Sequence, residues 1–212
     1  MSEKSETLTP ARFRRAIAVL TERHPLFARI VKEWGYPPFW KHTPGFAGLV
    51  LDILAQQVSI ESADAAFQKL QRAISEVTPS AFVSLTDAQL KKIGFSRQKA
   101  SYARGIAEAV VAGEFSFESL RKMSNDDARA RLCEFRGIGK WTSDTYLLFS
   151  LKRADVWPSG DLALEKAVSD LRGLRTKLPT AKVDRMALAW RPHRAVAARL
   201  LWFHYLSQRS RI

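Results

Sequence analysis

"FRGIGKWTSDTYLLFSLKRADVWPSGDLALEKAV", residues Phe135–Val168, joins a Gly-Ile-Gly turn to Asp161, which lies 22 positions past the second glycine. Apolar residues on both sides of the turn recur at helical spacing, and the second helix can begin at Thr142. Two glycines around one apolar residue permit a tight turn whose backbone approaches another molecule closely. The stretch therefore predicts two helices joined by a hairpin turn.

This turn has two interpretations. It either ends one helix and nothing more, or it binds an anion through exposed backbone N–H groups and the positive end of the next helix. The strongly basic composition favours binding of a phosphate. The predicted contact residues are Gly137, Ile138, Gly139, Lys140 and Thr142.

Composition limits the function classes. The 212 residues include 34 Lys and Arg against 21 Asp and Glu, a net charge of +13. Such a balance favours a polyanionic partner, nucleic acid first and an acidic membrane surface second. The one cysteine, Cys133, excludes an internal disulfide, a Cys-rich zinc site and a four-Cys iron–sulfur cluster.

Location and metal binding follow from simple patterns. The start "MSEKSETLTP" is polar and unlike a signal peptide, and no run of about 18 apolar residues predicts a membrane span. We therefore expect a soluble cytoplasmic protein, nucleoid-associated if bacterial. Metal-ligand spacing is absent among the four histidines, so no side-chain metal site is expected. These are His24, His42, His193 and His204.

Helical spacing runs through almost the whole chain, and strand signals are nearly absent, so the sequence predicts an all-α fold. The length fits one domain or two closely packed lobes. "LKKIGFSRQKASY" repeats the helix, glycine turn and basic helix start of "LCEFRGIGKWTSDTY", which predicts a second hairpin packed near the first. Predicted helices cover 10–23, 45–55, 60–77, 87–93, 96–112, 126–133, 142–151, 162–171, 183–190 and 194–208.

Asp161 also has two interpretations. An Asp before an apolar helical run is usually an N-cap, because its carboxylate accepts a backbone N–H of the first turn. A fixed carboxylate also suits catalysis on a cationic transition state. Spacing alone favours the N-cap.

Four motifs in order resemble the helix-hairpin-helix DNA glycosylases, and most closely the alkylpurine, or 3-methyladenine II, type. The similarity runs from about Leu26 to Leu206. The motifs are "ILAQQVSIESADAAF", "GIGKWTSDTYLL", "DVWPSGDLAL" and "WRPHRAVAARLLW".

The resemblance implies a two-lobed fold with the active site in the cleft between lobes, approximately 1–55 with 160–212 and 56–159. It implies that Asp161 is catalytic and that the hairpin grips double-stranded DNA containing damaged bases, with Lys140 as a phosphate ligand. Trp141 stands where relatives with lyase activity carry a nucleophilic lysine. We therefore expect a monofunctional glycosylase that leaves an abasic site.

The family also implies a base pocket and a segment that probes the gap left by the flipped base. Trp190 and Trp202, on apolar stripes, are expected in the core instead. His193 replaces an aromatic of some members, and a protonated imidazole would repel a cationic base. The pocket residues are Trp141, His193, Trp34, Tyr36, Phe39 and Trp40, and core packing is the alternative for the last four. The gap residues are Gln56, Gln57 and Ser59, for which helix capping or loop polarity is the alternative. The basic face continues through Arg191, Arg194 and Arg199.

Two alternatives stay open from the sequence. One is a non-catalytic DNA-binding module in which Asp161 is only an N-cap. The other is a glycosylase for uracil, a deaminated purine or a mismatched adenine, because selectivity depends on pocket shape. We expect a monomer with no organic cofactor and no membrane partner. The family resemblance also implies a monovalent cation bound by the hairpin carbonyls.

Overall fold

Residues 6–209 are described by the structure, a computed structural model of the chain. Within this range the chain is helical, and its one β feature is an isolated bridge between Thr7 and Arg153. The all-α prediction is confirmed. The first five residues of the polar start considered above lie outside the described residues. No helix of residues 6–209 is long and apolar enough to cross a membrane.

The chain divides into two units. We call His42–Leu151 the hairpin unit, and the described residues up to Lys41 and from Lys152 onward the aspartate unit, because it carries Asp161. Both boundaries lie earlier in the chain than the expected ones near 55 and 159. The reason at the first boundary is that helix Phe46–Leu54 packs on three other helices of the hairpin unit.

The hairpin unit is built around that central helix, α3. Its helices are α3 (Phe46–Leu54), α4 (Ile60–Ile74), α5 (Pro79–Val83), α6 (Asp87–Ile93), α7 (Arg97–Val111), α8 (Phe117–Lys122), α9 (Asn125–Cys133) and α10 (Lys140–Phe149). α3 packs against α4, α7 and α10 and buries Leu49, Val50, Ile53 and Leu54. Both predicted hairpins form, one between α6 and α7 and one between α9 and α10.

The aspartate unit is built around its last helix. Its helices are α1 (Pro10–Arg23), α2 (Pro25–Trp34), α11 (Leu162–Leu171), α12 (Thr180–Ala187), a 3-10 turn (Leu188–Trp190) and α13 (Arg194–Arg209). α13 packs against α1, α2 and α11. Trp190 lies edge-on to both Phe27 and Trp157, with ring centroids 5.2 Å apart in each pair, so one aromatic cluster joins α2, the 3-10 turn and the segment before α11.

Local signals account for most helix starts. Thr86 and Gln89 have the spacing that predicts a capping box, and the box is present: Gln89 N–H donates to Thr86 Oγ1, and the Gln89 side chain accepts from the Thr86 backbone N–H. Gly94 then ends α6 at a φ of 120°. The sequence did not reveal α2, α5 and α8. α5 and α8 have five and six residues, too few for a period of 3.6 to show, and α2 follows α1 after the single residue His24.

Candidate active site and hairpin

The hairpin turn between α9 and α10 requires glycine at its first corner. Gly137 has a φ of 83°, and a Cβ there would overlap the ring of Tyr102 on α7. Because α7 belongs to the first hairpin, the two hairpins pack together as predicted. Gly139 is the N-cap of α10 and supplies no side-chain acceptor to the first turn. The backbone N–H groups there suit an anion, as the sequence predicts.

Lys140 opens α10 two residues earlier than the predicted Thr142 start. Its Nζ donates to Asp144 Oδ2 at 2.8 Å, and Arg129 Nε donates to Asp144 Oδ1 at 2.7 Å. The Asp144 side chain is fully buried, whereas that of Lys140 is 56% exposed. Burial lowers the pKa of Arg129, but the carboxylates of Asp144 and Asp126 raise it by more, so the pKa of Arg129 lies above its usual value. The predicted phosphate ligand is therefore already held by a buried carboxylate.

Gln56 fixes the hairpin turn. Its Nε2 donates to the Gly137 carbonyl at 2.9 Å and to Thr142 Oγ1 at 3.0 Å. The same amide therefore bridges both sides of the turn, from a loop 81 positions earlier in the chain. This contact differs from the predicted gap-probing role, which stays a prediction for Gln56.

Gln57 and Ser59 have distinct surroundings. Gln57 is exposed with a φ of 57°, a strained conformation for a residue with a side chain. Such strain is typical of functional positions and agrees with the predicted gap-probing role without testing it. Ser59 instead caps α4, since its hydroxyl accepts from Ser62 N–H at 3.2 Å. The capping alternative therefore holds for Ser59.

Asp161 is the N-cap of α11 and is almost buried, at 9% exposure. Its Oδ1 accepts two hydrogen bonds, from Leu164 N–H at 2.9 Å and from Trp202 Nε1–H at 3.2 Å. Trp202 lies on α13 and is half-buried rather than in the core, which corrects the prediction for this residue. Two donors on one oxygen set the orientation of the carboxylate.

The segment before Asp161 is held by Asp184 of α12. Trp157 Nε1–H donates to Asp184 Oδ1 at 2.9 Å, and Ser159 Oγ donates to Asp184 Oδ2 at 2.6 Å. Gly160 turns the chain with a φ of 80° just before Asp161. The approach to Asp161 is therefore bonded to a second helix.

Comparison with known proteins identifies the family of this chain. Residues 50–192 match the family described as HhH-GPD superfamily base excision DNA repair protein. The chain belongs to this superfamily. The match spans both the α3–α4 loop and the segment with Asp161, so the hairpin and the candidate catalytic residue lie inside the family region.

Individual members give a consistent comparison. The Schizosaccharomyces pombe alkylbase DNA glycosidase-like protein mag2 is 26% identical over 198 residues, 90% of this chain and 92% of that protein. DNA-3-methyladenine glycosylase 1 of the same yeast is 31% identical over 159 residues, 73% and 69% of the two chains. The structure of the yeast 3-methyladenine DNA glycosylase Mag1 with abasic DNA superposes with a TM-score of 0.82 at 28% identity, covering 89% of this chain and 95% of that one.

The aromatic residues predicted for the base pocket of this HhH-GPD chain lie in different surroundings. Trp34 Nε1–H donates to His204 Nδ1 at 3.1 Å, which ties it to α13. Phe39 packs on Phe13, with ring centroids 5.1 Å apart. Tyr36 is 65% exposed. Trp40 lies edge-on to Phe203 at 6.2 Å, beside Trp202 in sequence, and Trp141 is half-buried on α10.

His193 lies at the start of α13, where its carbonyl accepts from Val196 and Ala197. Trp202 lies nine positions further along the chain, about 14 Å along the axis at the rise of an α-helix. Burial lowers the pKa of His193, more than Glu6 and Asp155 raise it, and Arg23 adds to the lowering. The neutral imidazole is therefore favoured, which reduces the repulsion of a cationic base considered above.

Only part of the predicted basic face along α13 lies at the surface. Arg194 Nε and Nη2 both donate to the Asp155 carboxylate, at 2.8 and 2.9 Å. Arg199 is fully buried against the packed rings of Phe13 and Phe39, and burial lowers its pKa to about 9. Arg191 is exposed. The assignment of Arg199 to the predicted basic face is therefore wrong, because its side chain is buried.

Metal and cation sites rest on separate observations. Among residues 6–209 no group of three His, Cys, Asp or Glu side chains is arranged to hold a metal ion. The carbonyls of Phe135, Gly137 and Gly139 accept hydrogen bonds from Ile138, Gln56 and Ser143. Each oxygen keeps a second lone pair, and the monovalent cation that the family implies stays a prediction.

Proposed function

We propose that this chain is a monofunctional DNA glycosylase that hydrolyses the N-glycosidic bond of alkylated purines, such as 3-methyladenine and 7-methylguanine, and leaves an abasic site. The observation that carries the proposal is Asp161, whose carboxylate is oriented by two donors in a chain of the HhH-GPD superfamily. The names of the yeast relatives support alkylated bases as the substrate class.

Asp161 supplies the chemistry that this reaction needs. The C1′–N bond breaks with its electron pair on the base, so the sugar becomes electron-poor and a nearby carboxylate stabilises it. A water then attacks C1′, and the carboxylate orients that water or accepts its proton. An alkylated purine carries a positive charge and leaves as a neutral base, so the enzyme needs no strong general acid for the leaving group.

The absence of lyase activity is part of the same proposal. The indole of Trp141 has no amine with which to form a Schiff base at the position of the family's nucleophilic lysine. The neighbouring Lys140 donates to Asp144 instead. We expect the sugar–phosphate backbone to stay intact after the base has left.

DNA binding is assigned to the hairpin and the α3–α4 loop. The first-turn N–H groups of α10 bind a backbone phosphate, and Gln57 enters the gap left when the damaged nucleotide flips out. Flipping costs a few kcal/mol, less for a damaged base. The net charge of +13 draws the protein, as a monomer, to double-stranded DNA.

Aromatic faces then hold the flipped base. Trp141, half-buried on the hairpin helix, is the residue we assign to stack on a cationic purine, at roughly 0.5–2 kcal/mol. Neutral His193 does not oppose a cationic base electrostatically. Selection for charged bases therefore depends on the aromatic rings.

A panel of duplexes tests the substrate. Each duplex carries one modified base: 3-methyladenine, 7-methylguanine, hypoxanthine, uracil, or adenine opposite 8-oxoguanine. We expect release of the two methylpurines and intact strands until alkali is added. Release of uracil or hypoxanthine alone would replace the substrate class, and strand breaks before alkali would contradict the monofunctional assignment.

A further inference from the structure

The segment that delivers Asp161 has no helix of its own. Residues 156–160 precede α11. Two backbone hydrogen bonds here join near neighbours in sequence and so constrain the segment little: Ser159 N–H to Trp157 O at 3.0 Å and Asp161 N–H to Pro158 O at 3.3 Å. Gly160 adds a left-handed corner, at a φ of 80°. The Asp161 backbone is held by α11 on one side, through Glu165 N–H to Asp161 O at 3.0 Å, and on the other side its position depends on what holds Trp157 and Ser159.

Asp184 holds both residues. Trp157 Nε1–H reaches one carboxylate oxygen at 2.9 Å, and Ser159 Oγ–H reaches the other at 2.6 Å, a length typical of a hydrogen bond to an ionised acceptor. The Trp157 ring is 6% exposed and lies edge-on to Trp190, so the indole has little freedom to turn. The carboxylate thus bonds the chain on both sides of Pro158 to α12.

We propose that Asp184 is a positioning residue for the glycosidic cleavage carried by Asp161, an inference that rests on the proposed function. Trp202 and Leu164 set the orientation of the Asp161 carboxylate, whereas Asp184 sets the place of its backbone. A displacement of about 1 Å in a reacting group costs on the order of 100-fold in rate. Loss of the Asp184 bonds therefore lowers the rate of the chemical step rather than the affinity for DNA.

The side-chain chemistry offers a conservative variant. In Asp184→Asn the amide oxygen still accepts from the Trp157 indole, and the amide nitrogen donates to the Ser159 hydroxyl, which is also an acceptor. Asp184→Ala removes both bonds. A matched control is Asp170→Ala, which removes another two-donor carboxylate of the same unit, bonded to His204 at 2.7 Å and Gln208 at 2.8 Å.

The experiment measures base release from 7-methylguanine duplex under single turnover, with the melting temperature and the affinity for abasic DNA of each variant. Rates are divided by the folded, DNA-binding fraction. We expect Asp184→Ala to be about 10- to 100-fold slower than wild type, Asp184→Asn to stay within about threefold, and Asp170→Ala to lose stability but keep its rate. An unchanged rate for Asp184→Ala overturns the inference, as does an equal loss in Asp170→Ala.

A binding readout separates this inference from the proposed function. Two duplexes are compared, one with a cationic pyrrolidine and one with a neutral tetrahydrofuran in place of the sugar. A correctly placed carboxylate binds the cation more tightly, so the ratio of the two affinities reports its position. We expect wild type to prefer the cation and Asp184→Ala to lose most of that preference. Wild type that prefers the cation but releases no methylpurine contradicts the substrate assignment alone. Wild type without the preference, or Asp184→Ala with the full preference, overturns the positioning role.

Discussion

At the scale of single residues, the two interpretations of Asp161 turn out to be compatible. The oxygen that caps α11 also accepts from the Trp202 indole, so the cap itself fixes the carboxylate for chemistry. Helix capping and catalysis both require a carboxylate that does not rotate. An N-cap aspartate in this segment therefore does not argue against a catalytic one.

Trp202→Phe tests this at the same scale, because it removes the Nε1–H donor and keeps an aromatic ring. A hydrogen bond to a charged group contributes about 1.5–3 kcal/mol, so we expect base release under single turnover to slow by roughly 10- to 100-fold. Affinity for abasic DNA should change little. Wild-type rates in this variant would show that Leu164 N–H alone orients the carboxylate.

At the scale of elements, the hairpin is held from outside. Gln56 bridges Gly137 and Thr142, so the loop that carries Gln57 is hydrogen-bonded to the turn assigned to phosphate binding. We expect Gln56→Ala to weaken binding of abasic duplex by about tenfold, through a looser turn, without changing the slope of log affinity against log salt, because no charge is lost. Fluorescence anisotropy at several salt concentrations measures both quantities.

Lys140→Ala, in the same hairpin, removes a positive charge, which Gln56→Ala does not. If Lys140 leaves Asp144 to contact a phosphate, as the family resemblance implies, removing its charge makes the salt slope shallower by about 0.9. Binding should weaken most at low salt. An unchanged slope would mean that Lys140 stays paired with Asp144 in the complex and that backbone N–H groups alone bind the phosphate.

At the scale of the whole molecule, the core of the hairpin unit contains an ionisable group. Asp52 of α3 is 2% exposed, and His42 Nδ1 lies 3.3 Å from its Oδ1 without hydrogen-bond geometry. Desolvation raises the pKa of Asp52, although His42 lowers it in part. Between pH 3.8 and the raised value the native state binds more protons than the unfolded state, so stability falls as pH rises through this window.

Asp52→Asn therefore stabilises the protein at pH 7. The amide resembles the protonated acid in shape and carries no charge to desolvate, so we expect a gain of about 1–3 kcal/mol, a rise in Tm of roughly 2–10 °C. The difference should shrink below pH 3.8, where both states of Asp52 are protonated. A less stable Asn variant at pH 7 would mean that the pairing with His42 outweighs desolvation. Thermal unfolding across this pH range measures it.

How well the sequence predicts a contact depends on how far apart the two residues lie along the chain. Patterns within one helix predicted the Thr86 capping box, the Gly137 hairpin and the α11 cap at Asp161, because each involves neighbours in sequence. Trp202 contacts Asp161 across 41 positions, and Trp157 contacts Asp184 across 27. Only folding reveals such pairs. Arg199 shows the opposite error, since an arginine on a helix is normally exposed and this one is buried against two aromatic rings.

Release of free base from methylated duplex DNA, by wild type and by Asp161→Asn, tests the central claim most directly. Asparagine caps a helix as well as aspartate, so the variant should fold and still bind abasic DNA. We predict free methylpurine from wild type only, with strand breaks only after alkali. Equal release by Asp161→Asn, or no release by either protein despite salt-sensitive binding, would contradict the account.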